Sequence, residues 1–132
     1  MGFRFEFDPA NKILLMRFEG PLTDESLAEL YRAIRTYSIA TDARAGIWDY
    51  SSVTEIAVSA EHIRQLASQE PAMPDATRRP RIIVAPTAVG FGLSRMFQIA
   101  GESKRPLLRV VRTLDEAFAA LDIQSPHFEP LA

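Results

Sequence analysis

The chain has 132 residues, of which 47% are hydrophobic and 24% are charged, with a net charge of −2. This composition is typical of one soluble globular domain, and the weak negative charge argues against binding to nucleic acid or to anionic membranes. The sequence contains no cysteine, which excludes disulfides, thiolate catalysis and cysteine-ligated metals. Apolar runs stay far below the roughly 20 residues of a membrane helix, and the first residues lack a signal-peptide core, so we expect no membrane span and a cytoplasmic location.

Two strands open the chain. Phe3, Phe5 and Phe7 alternate with charged residues, which predicts a strand at a sheet edge with one buried face. After a turn at residues 8–12, the apolar run at residues 13–18 predicts a strand deeper in the sheet. We expect these two strands to form an antiparallel hairpin.

Gly20-Pro21 is expected to break the chain before the first helix. Thr23 is placed to cap this helix, and Leu22 and Leu27 are placed to pack around the cap as a hydrophobic staple. Four large residues then recur with the period of one helical face, namely Leu27, Leu30, Tyr31 and Ile34.

Three further strand–helix units follow. Residues 45–50 predict a short strand that ends in a polar turn, and a second helix is expected from about Ser59 to Glu70. After a proline-rich loop, residues 81–86 predict a strand buried on both faces, and residues 107–112 predict a fifth strand. The residues expected to face inward on the last three helices are Ile63, Leu66 and Ala67; Leu93, Met96, Phe97 and Ala100; and Leu114, Ala117, Phe118 and Leu121.

The predicted order is therefore ββαβαβαβα, an α/β fold with a five-stranded mixed sheet. The N-terminal hairpin is antiparallel, and the three β-α-β crossovers require parallel pairing, most simply in chain order with most helices on one face. Because the second and fourth strands are apolar on both faces, the far face needs a cover: the tail, one of the helices, or a second copy of the protein. We expect one domain at residues 1–123 and a tail at residues 124–132.

Sequence patterns for catalysis are weak. The chain has two histidines, and Gly92–Met96 breaks the G-x-S-x-G elbow at its last position. Gly90-Phe91-Gly92 could open a dinucleotide loop, but Arg95 replaces the third glycine of that fingerprint. No group of His, Asp or Glu has metal-ligand spacing. We therefore expect no catalytic residue, no metal and no cofactor.

Binding residues are expected at the carboxyl edge of the sheet, where ligands gather in open parallel sheets. Hydroxyls, arginines and one carboxylate in this region could hold a small anion or a peptide, although the same residue types also serve as caps and turn formers. The candidate set is Asp49, Ser51, Ser52, Thr87, Gly90, Arg95 and Arg112.

The stretch WDYSSVTEIAVSAE, residues 48–61, resembles STAS domains, the fold of bacterial anti-sigma-factor antagonists. Residues 49–54 follow the D-L-S-x-V-T segment of that family, and residues 90–102 and 109–121 look like those of small bacterial STAS-like proteins. The resemblance implies a β-α superhelical fold related to lipid-binding CRAL-TRIO domains, and no known catalytic activity.

Ser59 aligns with the serine that is phosphorylated in the antagonists. Where they have D-S-S-G, this chain has Ala57-Val58-Ser59-Ala60, so the acidic residue and the glycine are absent. From the residues alone, Ser59 is a helix N-cap, and an aspartate there is expected to cap as well as serine does. A phosphate would also suit the N–H groups of a helix start, so both roles remain open.

The leading hypothesis is a non-enzymatic STAS-like module that binds a regulatory protein or a second copy of itself. The alternative is a carrier of a small apolar or lipid-like ligand, and the third is an enzyme whose residues meet only in the fold. A homodimer through Phe91, Met96 and Phe97 is expected because the third helix is apolar beyond one stripe. An internal cavity of several hundred Å3 would favour the carrier, and a closed core with a flat apolar patch would favour the module.

Overall fold

The computed structural model describes residues 2–131 and contains the predicted succession of elements with one short strand added. The bounds are β1 (Phe3–Asp8), β2 (Ile13–Thr23), α1 (Asp24–Thr41), β3 (Ala45–Ala57), α2 (Ala60–Ser68), β4 (Arg81–Val84), α3 (Ala88–Ala100), β5 (Leu108–Val111), α4 (Leu114–Ala120) and β6 (Glu129–Pro130).

The strands form one mixed sheet in the order β5-β4-β3-β2-β1-β6. β1 and β2 pair antiparallel, and β2 with β3, β3 with β4 and β4 with β5 pair parallel, which confirms the predicted hairpin and crossovers. β6, in the C-terminal tail, pairs antiparallel with the outer edge of β1.

Two predicted strand ends are wrong. β2 does not stop before Gly20-Pro21 but continues to Thr23, and β3 continues through the expected polar turn to Ala57. The two extensions pair with each other across shifts in register at Arg17/Glu19 and at Gly20/Pro21. Because β1 pairs with β2 only as far as Phe18, Pro21 has a strand partner on one side only, opposite Glu55 of β3, which is the kind of position where a strand tolerates proline.

Alternation along the strands divides the core into two layers. On one face Leu14, Met16 and Trp48 pack with α1 and α2, and side chains of α3 lie against the same cluster. On the other face Leu15 and Ile47 pack with α4 and with the tail. The chain itself therefore covers the far face, with both a helix and the tail, and one of the two reasons for expecting a second copy is removed.

Each of the four helices within residues 2–131 begins after a hydroxyl residue whose side chain accepts a hydrogen bond from the backbone N–H three residues later. These N-caps are Thr23, Ser59, Thr87 and Thr113. The caps expected at Thr23, Ser59 and Thr113 are confirmed. Within residues 2–131, no helix has the combination of length and apolar character that a membrane crossing requires.

Candidate functional site

An apolar pocket of about 380 Å3 lies between the sheet and helices α1, α2 and α3. Its floor includes the buried strand residues Trp48 and Ile83 and the buried Ala85, which directly follows β4. Its exposed rim includes Thr54, Glu55 and other side chains around the start of α3. The complete lining is Leu22, Leu27, Tyr31, Trp48, Tyr50, Val53, Thr54, Glu55, Ile56, Val58, Ile63, Leu66, Ile83, Ala85, Pro86, Thr87, Val89, Gly90, Leu93, Ser94 and Phe97.

The long β3 strand creates this pocket. β4 pairs with β3 only as far as Asp49, opposite Val84, so the rest of β3 has no neighbouring strand on that side. Val53 and Ile56 therefore line an open space beside α3. Leu93 and Phe97 of α3 line the same space, and none of the thirteen residues of this apolar helix is buried.

The pocket has few polar groups. The hydroxyl of Tyr31 accepts a hydrogen bond from Arg105 at 2.7 Å and donates one to the Glu70 carbonyl at 2.5 Å. The hydroxyl of Tyr50 has no hydrogen-bond partner among residues 2–131, and burial raises the pKa of Tyr50 above its ordinary value. Tyr50 is therefore a lining residue with an unused hydroxyl, as are Thr54 at the exposed rim and Ser94 on α3.

The candidate set at the carboxyl edge is divided between the two faces of the sheet. Thr87 and Gly90 lie at the rim of the pocket. Asp49 is buried on the opposite face, where it accepts hydrogen bonds from the N–H and hydroxyl of Ser51 and lies 3.6 Å from the Arg17 guanidinium. Ser52 is exposed and lies outside the pocket, opposite Glu19 in the strand register. Asp49 and Ser51 therefore bind each other and lie apart from the pocket.

The remaining candidates lie on α3 or, in the case of Arg112 after β5, against it. The guanidinium of Arg112 stacks on the Phe91 ring at 4.1 Å, and that of Arg95 donates to the Gln98 side chain at 2.6 Å. Phe97 lines the pocket with one part of its surface and is stacked with the buried Arg105 at 4.6 Å. Met96 packs partly buried against the core. Phe91 and Phe97, expected at a dimer contact, are thus in contact with arginines of their own chain.

Ser59 occupies the N-cap of α2 and contacts the first residue of α1. Its hydroxyl accepts from the His62 N–H at 3.1 Å and donates to the Asp24 carboxylate at 3.2 Å. Its own N–H donates to the other oxygen of Asp24 at 3.0 Å. A carboxylate therefore stands beside the position where a phosphate would be attached.

Sequence reasoning missed most of the pocket, including Trp48, Tyr50, Val53 and Ile56 of β3. The signal was present, because the large apolar residues Tyr50, Val53, Ile56 and Val58 recur every two or three positions within the stretch interpreted as a polar turn. The irregular pairing of β2 with β3 hides the strict alternation that would have marked a strand.

No protein-family model matches the chain, and no characterised protein matches it at the level of sequence. Solved structures do match. The anti-sigma factor antagonist SpoIIAA in its unphosphorylated form aligns with a TM-score of 0.59 and 13% identity, over 93% of this chain and 99% of that chain. The Bacillus cell fate determinant SpoIIAA in the phosphorylated form aligns with a TM-score of 0.51 and 18% identity, over 89% of this chain and 96% of that chain. The chain therefore has the STAS-like fold that its sequence resembles.

Proposed function

We propose that this protein is a non-enzymatic, STAS-like regulatory module of the bacterial cytoplasm that acts through protein–protein contacts. The observation that carries this proposal is α3, an apolar helix without a single buried residue. Val89 and Ile99 on this helix are 62% and 61% exposed. These two side chains lie in the first and last turns of α3, and apolar surface exposed at both ends of an unburied helix is typical of contact surfaces. The fold supports the proposal, since its structural neighbour SpoIIAA is an anti-sigma factor antagonist.

The first partner to test is a second copy of the chain. Light scattering at micromolar concentration is expected to give a dimer mass for the wild-type protein and a monomer mass for Ile99→Asp. Ile39→Asp is the matched control, because Ile39 is 59% exposed on α1, away from α3. A monomeric wild-type protein would contradict the homodimer and leave a different regulatory protein as the partner of α3.

A second candidate function is to carry a small apolar ligand. The pocket supports it, because about 380 Å3 lined mainly by apolar side chains falls within the range of roughly 300–1,000 Å3 that small-molecule sites occupy. Native mass spectrometry of the purified protein tests it. A retained small molecule would support the carrier, and a mass equal to that of the bare chain, with no binding of added apolar probes, would contradict it.

A further inference from the structure

The charges around the pocket restrict what can enter it. Among its lining residues, all of them described by the structure, Glu55 is the one with a formal charge. The Gly90 N–H at the start of α3 is already bound by the Thr87 hydroxyl at 3.1 Å, so this helix end has one donor fewer for an anion. An anionic ligand would meet a carboxylate and no cationic side chain, and would lose its hydration on entry.

The few unused hydroxyls restrict the ligand further. Thr54 is exposed at the rim, where water can bond to it, whereas Tyr50 and Ser94 are half-buried in the lining, without a hydrogen-bond partner among residues 2–131. A half-buried hydroxyl gains a hydrogen bond from a ligand that can reach it, and a mainly apolar molecule with one or two such groups matches a lining with so few polar atoms.

We infer that the pocket binds a neutral, mainly apolar small molecule with a hydrogen-bonding group that contacts the Tyr50 hydroxyl. This inference rests on the second candidate function and adds the chemical class of the ligand. It disfavours fatty acids and other amphiphilic anions, and it favours neutral molecules such as alcohols, phenols and ketones.

Two fluorescent probes test the charge rule, namely that the pocket binds neutral molecules more tightly than anions. N-phenyl-1-naphthylamine and 8-anilinonaphthalene-1-sulfonate share one ring system and differ by the sulfonate. The neutral probe is expected to bind with one site per chain and at least about 10-fold more tightly, a ratio that corresponds to about 1.4 kcal/mol. Equal or tighter binding of the sulfonate would overturn the charge rule while leaving the carrier function standing. Binding of neither probe would contradict the carrier function itself.

Variants locate the bound probe. Val53→Trp is expected to abolish binding of the neutral probe, and Ser52→Trp is the matched control, because Ser52 is exposed on the same strand outside the pocket. Should Val53→Trp fail to fold, Ser94→Phe provides a second blocking variant, on α3. Arg95→Phe is its control, because Arg95 is exposed and lies outside the pocket. Probe binding that survives both blocking variants would overturn the location.

Charge reversal and hydroxyl removal complete the test. Glu55→Arg is expected to tighten binding of the sulfonate about 3- to 10-fold relative to binding of the neutral probe. When the two compounds displace the neutral probe, 1-naphthol is expected to bind about 2- to 10-fold more tightly than naphthalene. Tyr50→Phe is expected to remove this difference in affinity. A preference that persists in Tyr50→Phe would overturn the role of this hydroxyl. If the neutral probe is lost at the protein concentrations at which light scattering shows a dimer, a second copy of the chain occupies the pocket. That result would overturn the inference.

Discussion

The Ser59 hydroxyl lies between the start of α2 and the Asp24 carboxylate, accepting a hydrogen bond from His62 N–H and donating one to Asp24. The contact joins the N-termini of α1 and α2, since Asp24 is the first residue of α1. A helix N-terminus favours a negative group at this position, but the Asp24 carboxylate at 3.2 Å opposes one. Contrary to the expectation from the sequence, replacing Ser59 with aspartate should therefore lower the stability of the fold.

Ser59→Ala is expected to lower the free energy of unfolding by about 0.5–2 kcal/mol, the usual effect of removing an N-cap. Ser59→Asp restores the cap but places two carboxylates side by side, at an expected cost of about 1 kcal/mol, the Coulomb energy at 4 Å in water. Urea denaturation at low and at high salt measures both effects, and the cost in Ser59→Asp should shrink with salt.

Asp24→Asn is the matched background for that prediction. In this background Ser59→Asp should be as stable as the serine protein, because the repulsion is gone and the cap remains. If Ser59→Asp is equally stable with and without Asp24, the carboxylate does not oppose a negative charge at this position, and the electrostatic objection to a phosphate on Ser59 is withdrawn.

Arg105 is 3% exposed and binds the C-terminal end of α2, without a carboxylate partner among residues 2–131. Its guanidinium donates to the carbonyls of Ala67, Leu66 and Gln69 and to the Tyr31 hydroxyl. Positive charge at a helix C-terminus is favourable, and hydrogen bonds from charged donors contribute about 1.5–3 kcal/mol each at most. Arg105→Met is expected to cost about 2–4 kcal/mol in urea denaturation, against less than about 0.5 kcal/mol for the exposed Arg95→Met.

Gly101→Ala tests the same contact between the Arg105 guanidinium and the end of α2. A Cβ at Gly101 would lie 2.6 Å from Nη1 of Arg105 and 3.2 Å from the Ala67 carbonyl oxygen. The guanidinium would have to move away from the end of α2, so Gly101→Ala should be strongly destabilising in the wild-type protein. It should cost much less in Arg105→Met, whose shorter side chain leaves room. Equal costs in both backgrounds would show that the glycine serves another purpose.

Asp8 fixes the tail to the turn between β1 and β2. Burial tends to raise the pKa of Asp8, but hydrogen bonds from the Asn11 side chain and from the backbone N–H groups of Asn11, His127 and Ala10 outweigh it, and the pKa lies below its ordinary value of 3.8. A lowered pKa means that the ionised group stabilises the fold above the ordinary value, and that this stability is lost as the pH falls through the lower, folded-state value.

Asp8→Asn should therefore be less stable than the wild type at pH 7 and should lose less stability than the wild type on going to pH 3. Asp115→Asn is the control, since Asp115 is exposed in the first turn of α4. Urea denaturation at the two pH values provides the comparison. Parallel curves for wild type and Asp8→Asn would show that another carboxylate controls the acid sensitivity.

The sequence was sufficient where one local pattern decided the structure. Thr23 and Thr113 cap their helices as expected, and the buried stripe of Leu27, Leu30 and Ile34 follows the helical period. The order of the strands followed from the general rules for β-α-β connections, which do not depend on particular side chains.

The pocket depends on relationships that no single segment contains. It exists because β3 extends beyond the end of its pairing with β4, which is a property of two strands. Leu93 and Phe97 of α3 then line the space beside the unpaired part of β3. Asp24 and Ser59 likewise meet across 35 positions of the chain. The carboxyl-edge set was divided because neighbouring strand residues point to opposite faces, so Asp49 could not join Tyr50 in the pocket.

Gly20 provides the last prediction, on the strand extension that sequence reasoning missed. Its φ is 85°, a region that L-residues avoid, and a Cβ built there would meet no atom within 4 Å. Gly20→Ala should therefore cost about 1–2 kcal/mol through backbone strain alone. Gly92 has equally open surroundings but ordinary helical geometry within α3, so Gly92→Ala should stabilise the protein by about 0.5–1 kcal/mol. Urea denaturation of the pair isolates the backbone effect. If both substitutions stabilise the protein, Gly20 is not strained, and the kink that carries β2 past Phe18 to Thr23 does not depend on glycine.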